Sequence, residues 1–107
     1  MREIKFRVWN TDYNEMWSWK DVKQSTPFQY VEEAKNIIFL QYTGLNDKNG
    51  VEIYEGDLLK NNETWEVIYA PTLARFVVRN SCGEEENMSL LAILKFEVVG
   101  NIYENKN

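Results

Sequence analysis

Histidine is absent from this chain of 107 residues, and cysteine occurs once, as Cys82. Without histidine the commonest general base and the commonest neutral metal ligand are missing. Ser-His-Asp and Cys-His arrangements are therefore excluded, and one cysteine cannot close a tetrahedral zinc site. A lone cysteine also forms no internal disulfide, which fits a reducing cytoplasm. Positive charge is short: 12 Lys and Arg face 17 Asp and Glu, a net charge of −5. Binding to duplex nucleic acid or an anionic membrane rests on basic excess, so both are disfavoured. No stretch of 18 apolar residues exists to cross a bilayer. The N-terminus alternates charged and apolar residues and lacks the apolar run of a signal peptide.

Aromatic residues are plentiful, with four Trp, six Tyr and five Phe. Such residues favour half-buried pleated surfaces and point to strands. Ile4, Phe6 and Val8 alternate with Lys5, Arg7 and Trp9, the period of a strand with two unlike faces. Turn residues 10–15 then lead to Met16-Trp17-Ser18-Trp19, the return strand of an N-terminal hairpin. Thr26-Pro27-Phe28-Gln29 resembles a helix start, followed by barely two turns. Ile37 to Thr43 is the most apolar run, read as a central buried strand ended by Gly44. Asn49-Gly50 signals a tight turn. Further strands are expected at Val51–Tyr54, Leu58–Lys60, Trp65–Tyr69, Arg75–Arg79 and Phe96–Tyr103. An acidic loop is expected at Glu84–Asn87 and a helical turn over Met88–Leu94.

These elements predict a mainly β chain: an N-terminal β-hairpin plus a C-terminal SH3-like small barrel, with one or two short helical turns. The length suits one domain spanning 1–107, with a hairpin and strand part over 1–43 and the barrel part over 44–107.

Three stretches carry a family resemblance. They are Met1 to Asn10 (MREIKFRVWN), Gln41 to Asp57 (QYTGLNDKNGVEIYEGD) and Val99 to Asn105 (VGNIYEN). Together they resemble the YopX family of small bacteriophage and prophage proteins. The start departs slightly, with Val8-Trp9-Asn10 where the family usually has Ala-Trp-Asp. The resemblance implies a phage or prophage gene expressed in a bacterial cytoplasm. It implies no catalytic residues and no cofactor.

Several groups invite a chemical reading. Lys5, Arg7 and Trp9 share one strand face, and Trp17 and Trp19 would extend it across the hairpin. A basic, aromatic face of this kind can hold single-stranded nucleic acid by charge and stacking. The competing reading is an amphipathic strand packed on another element, with the Lys and Arg stems covering a Trp. Glu52, Glu55 and Asp57 lie close in sequence, as paired carboxylates of a hydrolase would. Leu45 to Gly56 loosely follows a calcium loop, but Leu45 and Gly56 stand where oxygen ligands are required. Cys82 needs a nearby cation to become a nucleophile, and a plain loop thiol is the simpler reading. The run Glu84–Glu86 suits an acidic chain that occupies a host protein's nucleic-acid site. If several of Trp9, Trp17, Trp19 and Tyr30 stay exposed, they mark an interface, with another copy of the chain as the first candidate. The expectation is thus a non-catalytic, cytoplasmic, self-associating accessory protein, with a host or phage protein as a further partner. The alternatives are a nucleic-acid accessory protein and a carboxylate hydrolase. No metal is expected.

Overall fold

The computed structural model describes residues 4–21, 36–88 and 95–104. Among them lie nine strands: β1 (Phe6–Asn10), β2 (Glu15–Trp17), β3 (Ile37–Asn46), β4 (Glu52–Tyr54), β5 (Asp57–Lys60), β6 (Thr64–Ala70), β7 (Arg75–Asn80), β8 (Glu85–Asn87) and β9 (Glu97–Asn101). They form a four-stranded sheet, in the order β2-β1-β3-β4, and a five-stranded sheet, in the order β8-β7-β6-β5-β9. The protein is mainly β, and the second sheet curls into half a barrel.

Side chains that fold back on their own backbone end one strand after another. Asn10 accepts the amides of Asp12 and Tyr13 after β1. Asp47 accepts those of Asn49 and Val51 after β3. Asn61 accepts Glu63 N after β5, Asn80 accepts Cys82 N and Glu84 N after β7, and Asn101 accepts Tyr103 N and Glu104 N after β9. Asn and Asp do this readily because the short side chain mimics a backbone turn.

Four expectations are corrected. Gly44 does not end the apolar strand: β3 runs through it to Asn46, with Gly44 at φ 89° inside a bulge between Tyr42 and Asn46. The Thr43 hydroxyl stabilises the bulge, donating to Ile53 O at 2.8 Å and accepting from Leu45 N at 3.2 Å. The chain passes between the sheets at Glu55-Gly56, between β4 and β5. Nor is β3 buried along its length. It is central in hydrogen bonding, between β1 and β4, yet Ile38 and Phe39 are exposed. The acidic residues 85–87 form the edge strand β8, paired to β7 in register Arg79↔Glu85. Its backbone pairing to β7 overrides the poor strand propensity of those side chains. Finally, the return strand stops at Trp17. Ser18 then caps a helical turn over 19–21: its hydroxyl accepts Asp21 N, and the Asp21 carboxylate accepts Ser18 N. That reciprocal pair is a capping box. The helix start expected at Thr26, residue Tyr30 and the turn over 89–94 lie outside the described residues.

The main core is Ile53, Leu59, Trp65, Val67, Phe76, Val78 and Phe96, with Leu45, Met88 and Val98 packed on it. A smaller cluster sits on the outer face of the first sheet, where Val8 is covered by Trp17, Trp19 and Ile37.

Candidate functional site

Period-two geometry puts Lys5, Arg7 and Trp9 on the inner face of β1, which looks toward β4 and β5. Lys5 pairs with Glu52 on β4, and Arg7 pairs with Asp57 at the start of β5. Each cation also lies over a ring: Lys5 Nζ is 4.8 Å from the centre of Tyr42, and the Arg7 guanidinium carbon is 4.6 Å from that of Tyr54. Those two tyrosines are cross-strand partners with centroids 5.4 Å apart. The result is a layered seam of charge, ring, ring and charge, which cation–π attraction strengthens. Trp9 is only 2% exposed and packs on Tyr103 at 5.7 Å.

Asp57 is the deepest ionisable group of the seam, at 1% exposure. It accepts from Arg7 Nη2 and, at 2.8 Å, from Tyr54 N. Burial pushes its carboxyl above the ordinary value, against the pull of Arg7 and the Tyr54 amide. Arg7 Nε is buried without an acceptor among the described residues. Burial, with Glu52 next to it, raises the Tyr54 phenol to about 12, so it stays protonated at neutral pH and donates to Glu52. Burial and the nearby Glu55 and Glu66 raise Tyr103 as well.

A second junction forms around Asp47. Its Oδ1 accepts Asn49 N at 2.8 Å and Val51 N at 2.9 Å, while Oδ2 reaches across to accept Val98 N of β9 at 2.8 Å. Lys48 N donates to Phe96 O beside it. The β3–β4 turn therefore lies along the outer edge of β9 and joins the two sheets. Burial pushes the Asp47 carboxyl up, but the three amides and Lys48 outweigh it and hold it below the ordinary value.

The five residues of the candidate nucleic-acid face do not share one surface. Lys5, Arg7 and Trp9 face inward and are engaged as described. Val8 is opposite Trp17, so Trp17 lies on the other face of the sheet, and Trp19 packs edge-on against Phe6 there, at 5.9 Å. The three candidate hydrolase carboxylates are likewise apart: Glu52 is bonded to Lys5, Asp57 to Arg7, and Glu55 sits in the turn between β4 and β5. In the candidate calcium loop both oxygens of Asp47 meet N–H donors, which suits an anion and opposes a cation. Among the described residues no group of three His, Cys, Asp or Glu is placed to hold a metal ion. Cys82 is an exposed free thiol in the turn after β7. No helix of the described residues is long and apolar enough to cross a membrane.

Sequence reasoning missed Asp47, Tyr42, Tyr54 and Tyr103 as seam residues. The available signal was the apolar and aromatic spacing of 42, 53 and 54 around two glycines, which marks a tightly packed turn.

The sequence model for the YopX protein matches residues 18–107. The chain belongs to the YopX family. The match begins after the first of the three resembling stretches, and it contains both the 41–57 motif and the 99–105 segment. A crystal structure of protein EF1440 from Enterococcus faecalis is similar, with a TM-score of 0.73 and 27% sequence identity over 98% of this chain and 96% of that one. A search of curated protein sequences gave no match. In this YopX chain many positions of the 41–57 motif have a structural reading. Tyr42 and Tyr54 are the rings under the cations, and Thr43 and Gly44 make the bulge. Asp47 and Gly50 make the turn, and Ile53 enters the core. Gly56 turns at φ 88° so that Tyr103 can approach, and Asp57 takes Arg7.

Proposed function

We propose that this YopX protein is a non-catalytic interaction protein of a phage or prophage, acting in the bacterial cytoplasm and associating with itself. The observation that carries the reading is the engagement of the motif's ionisable groups with one another. Arg7 with Asp57 and Asp47 with Val98 N hold the two sheets together, and Lys5 with Glu52 braces the first sheet from within, so the motif reads as a folding device. Large apolar side chains meanwhile stay at the surface, among them Ile4, Phe39, Tyr69, Leu73 and Val99. Where such side chains gather they offer a partner apolar area to cover. The inward placement of Lys5, Arg7 and Trp9 gives the nucleic-acid alternative little support.

Light scattering on the purified chain tests self-association. A mass above one chain at micromolar concentration is expected, and the mass of one chain up to millimolar concentration overturns it. For the interaction role, affinity capture from a host bacterium is expected to enrich one phage or host protein reproducibly over a Leu59→Ala control.

A further inference from the structure

A cleft of about 400 Å³ opens beside the β4–β5 turn, lined by Gln41, Glu55, Tyr69, Ala74, Arg75 and Phe76. Its polar groups contrast with the seam behind it. Among the described residues the Glu55 carboxylate, the Arg75 guanidinium and the Gln41 amide have no side-chain hydrogen bond or ion pair. Apolar area is exposed at and beside the cleft: Tyr69, which lines it, is 42% exposed, and Leu73, next to the lining residue Ala74 in the β6–β7 turn, is 50% exposed. Ala74 holds that turn at φ 54°, a conformation disfavoured for a residue with a Cβ.

Charge decides what such a cleft can accept. The chain carries −5, so two copies repel one another unless they meet at a locally neutral patch. Another cleft, of about 490 Å³, is lined by Glu63, Glu66 and Glu84 with only Arg79 to balance them. Two copies meeting there would bring like charges together. The first cleft offers one carboxylate and one guanidinium, each unpaired. A twofold axis turns that pair into its own complement, because an isologous interface lets residue i meet j while j meets i.

We propose that this cleft is the self-association surface, with Glu55 of each copy paired to Arg75 of the other, the Gln41 amides in reciprocal contact and Tyr69 and Leu73 supplying the apolar part. This rests on the self-association reading above and names its surface. The test measures the dimer dissociation constant by sedimentation for the wild type, Arg75→Glu, Glu55→Arg and the double exchange. Arg75 is exposed and Glu55 half-buried in a turn, so thermal melts accompany each variant, with Arg75→Gln and Glu55→Gln as milder substitutes if a reversal unfolds the chain.

Each single reversal is expected to weaken association by about tenfold or more, and the double exchange to return within about threefold of wild type. High salt is expected to weaken the wild type in the same direction. A wild type that associates equally well with either charge reversed overturns this surface and leaves self-association standing. Single reversals that dissociate without rescue overturn the reciprocal pairing. A wild type that stays monomeric to millimolar concentration overturns both.

Discussion

The barrel core and the polar seam beside it are built from opposite materials. The core around Ile53, Leu59, Val67 and Val78 is almost wholly apolar, with Trp65 and Phe96 meeting edge-on at 6.3 Å. The seam is made of Arg7, Asp57, Lys5, Glu52 and Asp47 with tyrosine rings between them. Apolar burial is non-directional and rewards any close packing. Charged hydrogen bonds reward one geometry and penalise the rest, because an unpaired buried charge is costly. The core therefore supplies most of the stability, and the seam fixes how one sheet sits on the other.

The largest effect is expected from breaking the seam at its deepest point. Asp57→Ala strands the Arg7 guanidinium and should cost about 3–5 kcal/mol in urea unfolding. The double variant Arg7→Met with Asp57→Leu should recover most of that loss, since an apolar replacement of a buried pair is often near neutral. Failure of that recovery would show that the pair itself supplies net stability. Leu59→Ala breaks the core instead and should cost about 3 kcal/mol, read by the same melts, with no second-site rescue by charge.

Gly56→Ala tests the hinge between the two regions. An added Cβ would lie 3.0 Å from the Tyr103 ring, and the residue would be held at φ 88°. Left-handed strain and the displaced ring together should cost about 2 kcal/mol.

Acid should act on the seam and spare the core. Asp47 has a folded pKa below its ordinary 3.8, so its contribution is complete above that value and is lost as pH falls through the folded pKa. Asp57 is shifted upward and acts with the opposite sign, its contribution falling as pH rises from 3.8 through the folded pKa. Asp47→Asn should therefore flatten the acid limb of stability measured between pH 2 and 5. Replacing Lys5 gives the smallest effect. Its partner Glu52 keeps 40% of its side chain exposed, so Lys5→Ala should cost no more than about 1 kcal/mol.

Much of the fold was legible because its signals are local. The alternation at 4–9, the Asn-Gly turn and the clusters of Asn and Asp at strand ends depend on neighbours in sequence. Gly44 was misread because a glycine at a strand end and a glycine in a bulge look alike until the partner strand is known. The acidic strand β8 was hidden because what makes it a strand is its backbone pairing to β7, which its own residues do not signal. The candidate site was half legible: the common face of Lys5, Arg7 and Trp9 follows from period two, but its direction does not.

The sequence by itself determined a mainly β chain, a chemistry without histidine, and membership of the YopX family, as its 41–57 motif suggested. Only the tertiary structure decided that the basic face turns inward, that Arg7 and Asp57 meet across 50 residues, and that Glu55 and Arg75 find no side-chain partner among the described residues. The physical reason is that strand period assigns a side chain to one of two faces, whereas the packing of one sheet on another chooses which face is buried.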